Sequence, residues 1–281
     1  MRIQSLSMIV GDTRCNAKCP FCVSKMTPKQ GVDSSNFNWR NLHKALRMAQ
    51  INGVTNIMLT GKGEPLLHPE LITNILKVIK PFDFPIIELQ TNGICLKKIK
   101  KSGLLEKWYD LGLTIVALST VHYKMEKNRE IYSPSYKDLE ENFDILRDLF
   151  SIRVNCIMLD NYMGSQSAIE NMIRYARENE VDQLNIRKLG RPVKSTNREV
   201  WRWINDNQVR NVTAIYEYVE RYGSKLMTLP HGGVIFDVDG QNVCLSDCLT
   251  IKPESDDVRQ LIYFPDGHLR YDWQYEGAVL I

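Results

Sequence analysis

The chain has 281 residues, 43% of them hydrophobic and 25% charged, with a formal net charge of +3. Such a composition calls for a sizeable core in one large α/β domain, or in one domain with a small appendage. The slight positive charge argues against a dedicated nucleic-acid coat and permits an anionic small substrate, and no apolar run approaches the ~20 residues that cross a bilayer.

Residues 4–10 read as an apolar strand. They run into Gly11-Asp12 with no h-region or cleavage site, so the start is not taken as a signal peptide and the cytoplasm is the default location. A loop carrying three cysteines follows, then a helix from about Trp39 to Asn52 with Leu42, Ala45, Leu46 and Ala49 on one face. A strand at 56–60 ends at Gly61 and Gly63, and Pro69 opens the next helix. Strands follow at 86–90, 113–118, 152–159 and 183–187, with helical patterns at about 98–111, 137–150 and 166–179. Strands alternating with helices mean βαβ units and a parallel sheet. Six units are too few for a closed eight-stranded barrel, so residues 1–192 are expected to form a partial (β/α)6 TIM-like barrel.

After Pro192 the pattern changes. A long helix is expected over 199–222, and Asp-Gly pairs in 233–243 and 261–271 signal hairpins. Residues 193–281 therefore read as a second unit, a helix with a small C-terminal antiparallel β appendage packed over one end of the sheet and covering the substrate.

Seven cysteines stand at 15, 19, 22, 95, 156, 244 and 248. An odd number, with three crowded into Cys15-Asn16-Ala17-Lys18-Cys19-Pro20-Phe21-Cys22, is a poor disulfide framework and suits a metal site in a reducing compartment. Thiolates favour iron–sulfur clusters and zinc. Three local cysteines on a four-iron cluster leave one iron open to another ligand. A zinc site completed by a distant His or Cys stays open on spacing alone.

The Cys-x3-Cys-x2-Cys spacing with Phe21 before the third cysteine resembles the signature of the radical S-adenosylmethionine (SAM) superfamily. Thr60-Gly61-Lys62-Gly63-Glu64-Pro65, one βα unit later, is similar to that family's Gly-Gly-Glu-Pro segment. Gln90-Thr91-Asn92-Gly93, Ser119 after the fourth strand, Arg153-Val154-Asn155-Cys156-Ile157 and Leu189 resemble the branch containing molybdenum-cofactor cyclases and peptide-modifying enzymes. The resemblance implies a [4Fe-4S] cluster on Cys15, Cys19 and Cys22. It implies SAM bound by Phe21, Gly61, Gly63, Glu64, Pro65, Ser119, Asn155 and Leu189, with Thr91, Asn92 and Arg153 toward substrate. Reductive cleavage of SAM then gives a 5′-deoxyadenosyl radical that abstracts hydrogen from the substrate. Reduced flavodoxin or ferredoxin is the implied electron donor.

The chain departs from that branch in offering only Cys244 and Cys248 near its end, too few thiolates for a usual second cluster. The glycine- and arginine-rich tail of the cyclases is missing from Gly277-Ala278-Val279-Leu280-Ile281. The expected substrate is a small polar metabolite or nucleoside, or a ribosomal peptide; no membrane and no nucleic-acid partner is expected. An activating enzyme for a glycyl-radical partner and a non-catalytic zinc-binding module are the alternatives.

Overall fold

Apolar strands alternating with helices bring the described strands of this chain into one sheet. The computed structural model describes residues 3–190, 197–229, 232–247, 258–273 and 277–281. Cys248 and the boundary drawn at residue 192 lie outside them. In chain order the elements are β1 (Ile3–Ile9), α1 (Trp39–Ile51), β2 (Asn56–Thr60), α2 (Pro69–Ile79), β3 (Ile86–Thr91), α3 (Leu96–Lys101), α4 (Leu104–Asp110), β4 (Ile115–Thr120), α5 (Met125–Ile131), α6 (Leu139–Leu146), β5 (Ser151–Met158), α7 (Asp160–Met163), α8 (Gln166–Glu178) and β6 (Gln183–Lys188). They continue as α9 (Arg198–Asn207), α10 (Val212–Tyr222), β7 (Ser224–Thr228), β8 (Val234–Val238), β9 (Gln241–Asp247), β10 (Val258–Tyr263) and β11 (Leu269–Arg270).

Among the described residues the sheet has 11 strands in the order β11-β10-β1-β2-β3-β4-β5-β6-β9-β8-β7, and it does not close on itself. Strands β1 to β6 are all parallel, as their helical connections require. Both expected hairpins form, as β8–β9 and β10–β11. They do not pack over one end of the sheet. β9 pairs parallel with β6 and β10 pairs parallel with β1, so the hairpins extend the sheet at its two edges. An open parallel sheet leaves two rows of unpaired backbone groups, and the C-terminal strands satisfy them.

Side chains paired in register share a face, and the two faces differ in chemistry. Leu6, Ile57 and Ile87 continue one row and Leu118, Val154, Leu184 and Val243 another, all buried in the main apolar cluster with α1, α2 and α8. On α1 that contact is made by Leu42, Ala45, Leu46 and Ala49, and the Asn38 side chain caps the helix by accepting from Asn41 N at 3.0 Å. The other face carries Ser7, Met58 and Glu88 in one row and Ser119, Asn155, Asn185 and Cys244 in another.

Three expected elements differ in detail. The helix over 98–111 is two, α3 and α4, because Gly103 at φ 70° breaks it. The helix over 199–222 is also two. Asn211 caps α10 through Ala214 N, and Gln208 leaves the helix to bridge Leu159. Strand β4 runs to Thr120, so Ser119 lies within it rather than after it.

Candidate active site

The cysteine loop joins β1 to α1 and is anchored at both ends. Val10 N donates to Thr60 O at 2.7 Å, while Lys18 N donates to Tyr132 O at 2.7 Å beyond β4. Cys22 N donates to Cys19 O at 3.3 Å and starts the short turn Val23–Lys25. Cys15 is exposed, and Cys19 and Cys22 are partly covered. Burial, reinforced by the charges of Cys22 and Cys15, pushes the Cys19 thiol up to about 12. Among the described residues, no three His, Cys, Asp or Glu side chains converge as they would on one ion. Soft thiols carried on one loop fit an iron–sulfur group, whose positive charge would favour the ionised form that burial disfavours at Cys19.

The Gly61–Pro65 segment leaves β2 and packs directly on this loop. Glu64 N donates to Arg14 O at 2.9 Å. A Cβ on Gly63 would lie 2.0 Å from Arg14 O and 2.7 Å from Asp12 O, so only glycine permits this approach. Pro65 opens a 3-10 turn for which Glu64 is the cap. The Glu64 side chain is 4% exposed. Its Oε1 accepts from Leu66 N at 3.0 Å and from Thr91 Oγ1 at 2.5 Å, and its Oε2 accepts from Asn92 N at 3.0 Å. Burial pushes this carboxyl above the usual range, against the pull of those three donors.

Thr91, Asn92 and Gly93 therefore form a brace. Asn92 Nδ2 donates to Asn16 Oδ1 at 2.7 Å and lies 3.9 Å from Cys15 Sγ, while Asn16 Nδ2 donates to Cys95 Sγ at 3.2 Å. Gly93, at φ 77°, makes the turn that aims Asn92 back at the loop. The polar atoms of Thr91 and Asn92, expected toward substrate, are committed to Glu64 and Asn16.

Phe21 is 8% exposed and sits between Tyr132, edge-on at 6.4 Å, and Trp203 of α9 at 5.7 Å. Asn197, which caps α9, donates through Nδ2 to Lys25 O at 3.2 Å, so this helix is docked on the cysteine loop. Leu189, beyond β6, is 4% exposed. Asn155 accepts from Asn185 Nδ2 at 3.1 Å, and Ser246 Oγ donates to Asn185 Oδ1 at 2.9 Å. Arg153 pairs with Glu88 and donates through Nε to Gln183 Oε1 at 2.7 Å. Gln90 Nε2 holds the other Glu88 oxygen at 2.8 Å.

The cysteine loop, Phe21, Gly61, Gly63, Glu64 and Pro65 are thus one assembly. Ser119 and Asn155 lie in one row of the polar sheet face, and Arg153 shares that face deeper in the sheet. Sequence reasoning passed over Lys62, Glu88, Asn16 and Trp203. A glutamate inside Ile86-Ile87-Glu88-Leu89-Gln90 was the readable signal for one of them, since an acidic residue is unusual within an apolar strand.

Residues 10–166, over half of the chain, match the sequence model of the radical SAM superfamily. The chain belongs to that superfamily. Its curated relatives include GTP 3′,8-cyclase of Aquifex aeolicus (strain VF5), 27% identical over 158 residues that cover 53% of this chain and 46% of the relative. Molybdenum cofactor biosynthesis protein 1 of Homo sapiens is 23% identical over 154 residues, 52% of this chain and 22% of that protein. The chain spans about half the length of the cyclase it matches. Among solved structures, Streptococcus suis SuiB bound to S-adenosylmethionine superposes with a TM-score of 0.61 at 15% identity, covering 98% of this chain and 61% of SuiB. Native anSMEcpe with bound AdoMet gives 0.55 at 14% identity, with 98% and 75% covered. The protein is therefore a radical SAM enzyme on an α/β sheet of the partial-barrel kind. Membership of the superfamily implies SAM and an iron–sulfur cluster. Among the described residues, no helix is long and apolar enough to cross a membrane.

Proposed function

We propose that this radical SAM enzyme holds a [4Fe-4S] cluster on Cys15, Cys19 and Cys22 and acts on a small polar substrate laid against the polar face of the sheet. When bound, the cluster and SAM supply a 5′-deoxyadenosyl radical that takes a hydrogen atom from the substrate. The observation that carries this reading is the Glu64 N to Arg14 O hydrogen bond, with Gly63 in backbone contact, which fuses the two motifs into one structure. Glu64, buried and held by three donors, offers a fixed carboxyl group beside the cysteine loop, and the ammonium of SAM would supply the positive partner that favours its ionised form. The backbone of Gly61–Pro65 would cradle the methionine end, and Ser119, Asn155, Leu189 and Phe21 would meet the remainder.

The substrate reading rests on Arg153, Gln183, Glu88 and Gln90, a hydrogen-bonded polar network inside a sheet whose other face is apolar. A ribosomal peptide is the second reading, because the fold extends nearly the length of this chain onto the peptide-bound form of SuiB, with a TM-score of 0.61. Reduced flavodoxin or ferredoxin would supply the electron. Anaerobic reconstitution tests the core of the proposal: about four irons per chain and dithionite-dependent release of 5′-deoxyadenosine are expected, with both lost in Cys19→Ala. Stoichiometric zinc without SAM cleavage would overturn it.

A further inference from the structure

Lys62 stands between the two glycines of the site and is 3% exposed. Its Nζ donates to Thr27 Oγ1 and lies 5.1 Å from the centre of the Trp273 ring. Thr27 Oγ1 in turn donates at 2.9 Å to the carbonyl of Val23, the residue after Cys22. Ser24 Oγ donates to the Lys62 carbonyl. The chain leaving the cysteine loop is thus wrapped around this lysine.

A buried ammonium is strongly disfavoured unless negative charge lies near it. Among the described residues, no carboxylate forms an ion pair with Lys62. The charged groups acting on it are Arg270, which opposes its charge, and Cys22, whose thiolate favours it. Arg270 is itself 5% exposed, with its nearest carboxylate, Asp266, at 3.9 Å. Two buried cations therefore sit near the chain that leaves the cysteine loop with little anionic compensation. The other lysine fixed to the loop, Lys25, donates to Cys19 O at 2.9 Å from an exposed position, where water screens it.

We propose that the buried ammonium of Lys62 raises the reduction potential of the cluster held by Cys15, Cys19 and Cys22. This rests on the cluster reading given above. Reduction adds one negative charge to the cluster, and a fixed cation in a weakly screened interior favours the more negative state. Trp273 and Thr27 keep that cation in place, so while Lys62 holds its proton the effect does not depend on a mobile side chain.

The test is a potentiometric titration of the reconstituted protein, followed by the electron paramagnetic resonance signal of the reduced cluster. Lys62→Met and Lys62→Gln remove the charge, and Lys62→Arg keeps it. Iron content and absorption spectrum should match the wild type in all three. The midpoint should move to more negative potential in the two neutral variants and stay near wild type in Lys62→Arg. An unchanged midpoint in both neutral variants overturns the proposal. So does an equal shift in Lys62→Arg, or failure of both neutral variants to load iron while Lys62→Arg loads it. A wild-type chain that binds no cluster fails the cysteine-loop reading instead, and the iron assay reports that before any titration.

Discussion

Gly63 is the residue on which the site depends most sharply. Its missing side chain lets the Gly-Glu-Pro segment lie on the cysteine loop, and the obstructing atoms are backbone oxygens of Arg14 and Asp12 that cannot rotate away. Gly63→Ala is expected to cost about 1–3 kcal/mol in thermal or urea denaturation and to lower iron loading, because the loop must shift to admit the methyl group. Lys62 makes a second prediction at this scale. Burial, aided by Arg270, pushes its ammonium down to about 8 from an ordinary 10.5. Between those values the unfolded metal-free chain holds a proton here that the folded chain does not, so Lys62 makes stability rise with pH across the window. Urea denaturation of metal-free wild type at pH 8 and pH 10 should show a gain relative to Lys62→Met of at most about 3 kcal/mol. A gain equal in the two proteins would place the lysine in a wetter environment than its 3% exposure indicates. The cysteines and the Gly-Glu-Pro run were legible in the sequence because each motif is local. The role of Asn92 was not, because its partners Glu64 and Asn16 are brought to it only by the parallel stacking of β1, β2 and β3.

Among the elements, α9 matters most for the site. The sequence pattern makes it the start of one long helix, and nothing local says that its Trp203 reaches Phe21 or that its cap binds Lys25. These contacts join residues at least 172 positions apart, and helical periodicity reports only which face is apolar, not what it meets. Trp203→Ala removes one wall of the Phe21 cage. It is expected to cost about 1 kcal/mol from the lost aromatic pair and to speed bleaching of the cluster absorption in air, since α9 covers the loop. Equal bleaching rates would show that cover comes from elsewhere. Strands β1 to β6 were legible to within about three residues because their burial alternates or runs continuously, whereas β7, exposed throughout, gave no such signal. The polar sheet face was not, since Glu88 and Arg153 are recognisable as partners only once the β3, β4 and β5 registers are known.

At the scale of the whole molecule, the sequence pattern separates a barrel portion from an appendage, while the sheet makes them continuous. β10 pairs with β1 from Ile3↔Val258 to Met8↔Tyr263, and Tyr263 OH donates to Asn38 O at the entry to α1. Removing residues 258–281 therefore does more than lift a cover. It is expected to bare the edge of β1, the strand that delivers the cysteine loop, and to give an aggregating chain that loads little iron, as read by gel filtration and iron assay. A monomeric truncated chain with full iron content would refute this. The pairing of β1 with β10 also bears on the order of events during synthesis. Strand β1 waits for a neighbour more than two hundred and fifty residues behind it, and contacts of such long range form late. The cysteine loop gains its full support only after β10 has emerged, so pulse-labelled nascent chains that stop short of Tyr263 are expected to carry no iron.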